Sequence, residues 1–85
     1  MKLELRFFAS LREALETSGE SIDLPSEITS VAQLRDFLIG RGGVWAQVMS
    51  KDKPIRCALN QQMVGDAALL EEGAEIAFFP PVTGG

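Results

Sequence analysis

Leu3, Leu5 and Phe7 alternate with Lys2, Glu4 and Arg6, so the chain opens with a strand that turns one apolar face inward. Ser10-Leu11-Arg12-Glu13 has the spacing of a capping box and predicts a helix start there. Leu11, Ala14 and Leu15 would form that helix's apolar stripe, with Gly19 as its stop. Ser21-Ile22-Asp23-Leu24 reads as a second short strand closed by Pro25. A second box, Ser30-Val31-Ala32-Gln33, opens a longer helix that ends near Gly40 or Gly42 and places Val31, Leu34, Phe37 and Leu38 in the core. Gly42-Gly43 breaks the chain before another turn or two of helix over 44–49, carrying Trp45. Alternation returns over 55–60. Gln61-Gln62 then makes a connection, Met63-Val64 pairs briefly, Gly73 turns the chain and 75–79 forms a last strand.

These elements leave room for one sheet of four to five strands with helices on one face, a mixed α+β roll. The first and last strands are both strongly apolar, which suits adjacent central positions. Period two also splits the aromatic residues. Ile76 and Phe78 share a face with the core, whereas Ala77 and Phe79 point away; Phe7 and Phe8 divide in the same manner. Phe8 and Phe79, with Met63 as a third member, are therefore expected on the open sheet face as an apolar partner-binding patch. The competing assignment puts all three in the core, because a fold this small has few apolar residues to spare.

Eighty-five residues support one domain, over 1–79, followed by a flexible tail over 80–85. A net charge of −4, no histidine and no basic run interleaved with aromatics argue against nucleic acid as a partner. No apolar run approaches a membrane span and the N-terminus lacks a signal-peptide pattern, so no membrane association is expected. The single cysteine, Cys57, cannot form an internal disulfide, which fits a cytoplasmic setting. On the alternation Cys57 shares a face with Ile55 and Leu59 and reads as a buried, inert thiol. Without histidine there is no zinc pattern and no Ser-His or Cys-His pair. Glu71-Glu72 reads as a solvated turn, and Gly40 and Gly42-Gly43 lack the context of a phosphate loop. The chain is expected to bind no cofactor or metal and to be non-catalytic alone.

The C-terminus carries the chemistry that remains. Pro80-Pro81 cannot continue a central strand and directs the chain off the domain, while Val82-Thr83-Gly84-Gly85 ends in an unhindered glycine carboxylate. Extended from Pro80, the tail reaches roughly 20 Å, enough to enter a partner's active site.

Three segments carry a family resemblance. Phe7-Phe8-Ala9-Ser10-Leu11-Arg12-Glu13 resembles the opening strand-to-helix signature of the small subunits of molybdopterin synthase. Ala58-Leu59-Asn60-Gln61 is similar to their strand ending in Asn-Gln, and 75–85 to their terminal block. These MoaD-type sulfur carriers have a ubiquitin-like β-grasp fold. Gly73-Ala74-Glu75 departs from the Gly-Asp-Glu often found there, at what is expected to be a surface turn, and 40–54 matches least. The resemblance implies that an activating enzyme uses ATP to adenylate the Gly85 carboxylate and that a sulfur donor displaces AMP to leave a thiocarboxylate. Insertion of Pro80, Pro81, Val82, Thr83 and Gly84 into a large subunit would then deliver sulfur to cyclic pyranopterin monophosphate, within a heterotetramer of two small and two large subunits. A carrier for thiamine thiazole synthesis, a protein modifier and an interaction-only module are the alternatives.

Overall fold

The computed structural model describes residues 1–81; Val82, Thr83, Gly84 and Gly85 lie outside the described residues. Eight elements follow in order: β1 (Lys2–Phe7), α1 (Ala9–Leu15), β2 (Gly19–Asp23), α2 (Val31–Ile39), α3 (Gly43–Val48), β3 (Arg56–Leu59), β4 (Gln62–Val64) and β5 (Glu75–Phe79). The five strands form one mixed sheet in the order β2-β1-β5-β3-β4. β1 and β5 pair in parallel, with Phe7 opposite Phe78, and the other pairings are antiparallel. The two most apolar strands are thus neighbours, which is the β-grasp arrangement.

Period two sets the layers. Leu3, Leu5, Phe7, Ile22, Ile76 and Phe78 line the core face and meet Leu11, Leu15, Val31, Leu34, Leu38 and Met49 from the helical side. Phe7 stacks on Phe78 at 6.2 Å between ring centroids and meets the edge of Trp45 at 5.4 Å. Phe37 packs on this core only partly, and Ala14 is exposed, so the stripe of α1 is narrower than the spacing predicts.

The two capping boxes behave differently. At Ser30 the side chain accepts from Gln33 N at 3.3 Å and Gln33 Oε1 accepts from Ser30 N at 3.2 Å, closing the box in full. At Ser10 no box forms. Phe8 is the N-cap, without a side-chain cap, and its carbonyl accepts from Leu11 N and Arg12 N. The chain passes from strand to helix through Ala9 at φ 53, which places Ser10 inside the first turn. Gly19 does not stop α1 either. The helix ends at Leu15 with Glu16 in the left-handed region, and Gly19 opens β2. There a Cβ would stand 2.2 Å from the Leu5 carbonyl oxygen, so the close strand approach requires glycine.

The β3–β4 connection is a two-residue turn with Asn60 and Gln61 at φ 48 and 68, the positive values of a type I′ hairpin. Asn60 also ties this turn to β5: its Oδ1 accepts from Glu75 N at 2.9 Å, and its own N–H donates to Glu75 O at 2.8 Å. The Asn-Gln pair thus has a structural task. Gly73 turns at φ 79 as expected, but Ala74 beside it is buried in the core, so that departure from the family pattern is not confined to a surface turn.

Candidate functional site

The site lies at the ends of β1 and β5, where the last strand of the sheet delivers the tail. β5 is the central strand, held by β1 on one side and β3 on the other. Phe79 is its last residue, and Pro80 and Pro81 continue from it, both half-buried. The carboxylate expected to react, on Gly85, and the insertion residues Val82, Thr83 and Gly84 lie outside the described residues.

Register defines the open face beside this exit. Arg6, Ala77, Ala58 and Met63 form one row across β1, β5, β3 and β4, and Phe79 stands opposite Arg56 one step nearer the tail. Phe8 follows β1 directly and donates its N–H to Phe78 O at 3.2 Å. Phe8 is 47% and Met63 59% exposed, whereas Phe79 is half-buried. Phe8 and Phe79 therefore flank the tail root at equivalent positions on adjacent strands. Met63 lies two strands from β5, roughly 10 Å across the sheet at ordinary strand spacing, so the three residues mark a broad surface and not one cluster.

Alternation already turns Ala77 away from the core, and the structure places Ala58 beside it on the same face. Ala58 and Ala77 are only 8% and 7% exposed although they point away from the core, because they sit within a row of longer side chains. Small residues thus form the middle of this face. Polar groups bound it: Glu4 accepts from Ser21 Oγ at 2.6 Å, and Arg6 lies 3.9 Å from Glu75. The ion pair and the hydroxyl relieve the like charges of Glu4 and Glu75, which face each other across β1 and β5.

Two further supports escape sequence reasoning. Arg35, 8% exposed, reaches from α2 to three carbonyls: its Nε donates to Met49 O at 2.7 Å, and its Nη2 donates to Ser50 O and to Lys53 O. It fixes the segment entering β3. Arg41 forms a two-pronged pair with Glu20 at 2.7 and 2.8 Å and lies over Trp45, 4.5 Å from the ring centroid. That hydrogen bond holds the Glu20 carboxyl below its usual range, against the opposing effect of partial burial.

The remaining chemistry of the described residues is sparse. Burial, with a smaller contribution from Asp66, pushes the Cys57 thiol up to about 11, so it carries little thiolate at neutral pH. Among the described residues no group of three or more His, Cys, Asp or Glu side chains is placed to hold a metal ion. No helix among them is long and apolar enough to cross a membrane. Glu71 and Glu72 are exposed, with Glu72 Oε2 accepting from Lys2 N at 3.0 Å, a turn contact and not a reactive pair.

Comparison with known proteins bears on the family and the fold. The model of the ThiS family matches residues 5–85. The molybdopterin synthase sulfur carrier subunit of Haemophilus influenzae is 36% identical, over 98% of this chain and 99% of that protein. Its Escherichia coli counterpart is 34% identical over the same shares. Among solved structures, SAMP1 from Haloferax volcanii superposes with a TM-score of 0.78 at 26% identity, covering 100% of both chains. With a match that runs from the first strand to the final glycine, the chain belongs to the ThiS family.

Proposed function

We propose that this chain is the sulfur-carrier subunit of a molybdopterin synthase and that the Gly85 carboxylate is its working group. The observation that carries the proposal is the exit of a Pro-Pro-Val-Thr-Gly-Gly end from central strand β5, beside an open face bearing Phe8 and Phe79, in a chain whose relatives bear that name over almost their whole length. A free carboxylate is a poor electrophile. Attack of one of its oxygens on the α-phosphorus of ATP expels pyrophosphate and turns that oxygen into part of a leaving group, AMP. A sulfur donor at the sulfide level then displaces AMP and leaves a thiocarboxylate. Glycine keeps the acyl carbon open to attack. Two such transfers to cyclic pyranopterin monophosphate would build a dithiolene, with water restoring the carboxylate each time.

The chain itself supplies positioning. Phe8, Met63 and Phe79 dock a large subunit, and Pro80 to Gly84 carry the carboxylate into that subunit's active site, in an assembly of two small and two large subunits. Acid, base and phosphate-binding groups would reside on the large subunit and on the adenylating enzyme.

Intact mass after incubation with the activating enzyme, ATP and a sulfur source tests the reading. One oxygen should be replaced by sulfur at Gly85 in the native chain, and none in a chain lacking Gly85 or extended by one residue. An interaction-only module would tolerate the extension. Complementation of a molybdenum-cofactor-deficient strain, without rescue of a thiazole-deficient one, separates this carrier from its thiamine counterpart.

A further inference from the structure

The row of the open face nearest the tail ends in a charge. Phe79 is flanked by Phe8 at the end of β1 and by Arg56, its cross-strand partner at the start of β3. Directly opposed residues share a face, so Arg56 stands on the helix-free side with Phe79. Its side chain is exposed and borders an open hollow of about 490 Å³ that Met63, Gly65 and Asp66 also line.

The neighbouring charges on this face have partners within the chain. Arg6 is paired with Glu75, and Glu4 accepts from Ser21 Oγ. Arg56 differs: among the described residues it forms no ion pair, not even with Asp66 in the same hollow. A guanidinium without a partner is at ease in water but not beneath another protein. Whatever covers Phe79 strips water from the adjacent Arg56, and a partly dehydrated cation is tolerated in an interface only where an acceptor meets it. A carboxylate is the acceptor whose two oxygens match the guanidinium fork and whose charge cancels it. The chain as a whole carries −4, so such a contact is set by local and not by net charge.

We propose that Arg56 is a specificity-determining residue of the docking face and that it pairs with a carboxylate on the large subunit, at the margin of the contact made by Phe8 and Phe79. The inference rests on the carrier reading and adds to it the chemistry of the partner's surface: an apolar patch over the two rings with an acidic side chain beside it. A protein that can cover the rings but offers an apolar or basic residue at that point leaves Arg56 unpaired or repelled, and binds less well. The rings supply affinity, and Arg56 selects among surfaces that fit them.

Titration calorimetry of the full-length chain against the same organism's molybdopterin synthase large subunit, at low and at high salt, tests it. Arg56→Gln should weaken the complex roughly five- to tenfold at low salt, and Arg56→Glu roughly a hundredfold, because it sets like charges face to face. Raising the salt should narrow the gap between the parent and Arg56→Gln. Lys53→Glu makes the same change of charge at an exposed position on the helical side, beside Leu11 and Ala14, and should cost no more than about twofold. The melting temperature of free Arg56→Gln should match that of the parent, since the side chain pairs with nothing in the isolated domain. Arg56→Glu binding as tightly as Lys53→Glu, or a loss in Arg56→Gln that salt leaves unchanged, would overturn the pairing and leave the carrier reading standing. A parent chain that forms no complex at all would instead overturn that reading, and the inference with it.

Discussion

Phe78 and Phe79 are successive residues of one strand that point to opposite faces of the sheet. Phe78 is 1% exposed, stacked on Phe7 beneath the helices, whereas Phe79 faces Arg56 on the helix-free side and stays half-buried. The core face is packed with large side chains. The other face combines two nearly buried alanines with isolated large apolar residues and ion pairs. Alternate residues of one segment thus meet two different surroundings, and under the proposed carrier reading the helix-free side is the one that meets a large subunit.

Substitutions in the pair should separate the two. Phe78→Ala should cost the most, about 3 to 5 kcal/mol of stability by removing a fully buried ring, measured by denaturant unfolding. Phe79→Ala or Phe8→Ala should instead weaken the complex with a large subunit ten- to a hundredfold in titration calorimetry, about 1.4 to 2.8 kcal/mol, with little loss of stability. If Phe79→Ala unfolds the isolated chain, Phe79 belongs with Phe78 and the contrast between the faces collapses. On the core side, Ser30→Ala should cost about 1 kcal/mol while Ser10→Ala changes little, since only Ser30 caps a helix.

The smallest effect concerns pH. Glu20 has its carboxyl held below its ordinary value in the folded chain, chiefly by the Arg41 hydrogen bond, so it binds a proton less readily than in the unfolded chain. Its stabilisation is fully present above the ordinary value and is lost as pH falls through the lowered one. Thermal melts from pH 6 to pH 3 should show a slightly shallower decline for Glu20→Gln. An identical decline would place the acid sensitivity elsewhere.

The core and the strand set were legible because their apolar residues recur at periods of two and of three to four. The terminal segment on which the proposed carrier chemistry rests stood out because Pro-Pro and Gly-Gly restrict and release the backbone in ways few other residues do. Ser10 misled because a capping motif specifies hydrogen bonds only if the preceding backbone adopts cap geometry, and here Phe8 and the left-handed Ala9 take that role. Gly19 misled for a different reason: its lack of a side chain allows close contact with Leu5 across the sheet and does not end α1. Arg35 reads as one more surface charge on α2 until the 49–53 segment closes over it.

The parallel pairing of β1 with β5 has a mechanical consequence. β1 begins at the second residue and β5 ends where the tail departs, so tension between the N-terminus and the tail acts along both strands in opposite directions. Their ladder is loaded in shear, and its hydrogen bonds must yield together instead of opening one after another. A pull on the tail, with the N-terminus held, is therefore carried along the whole β1–β5 seam and not by its end bond alone.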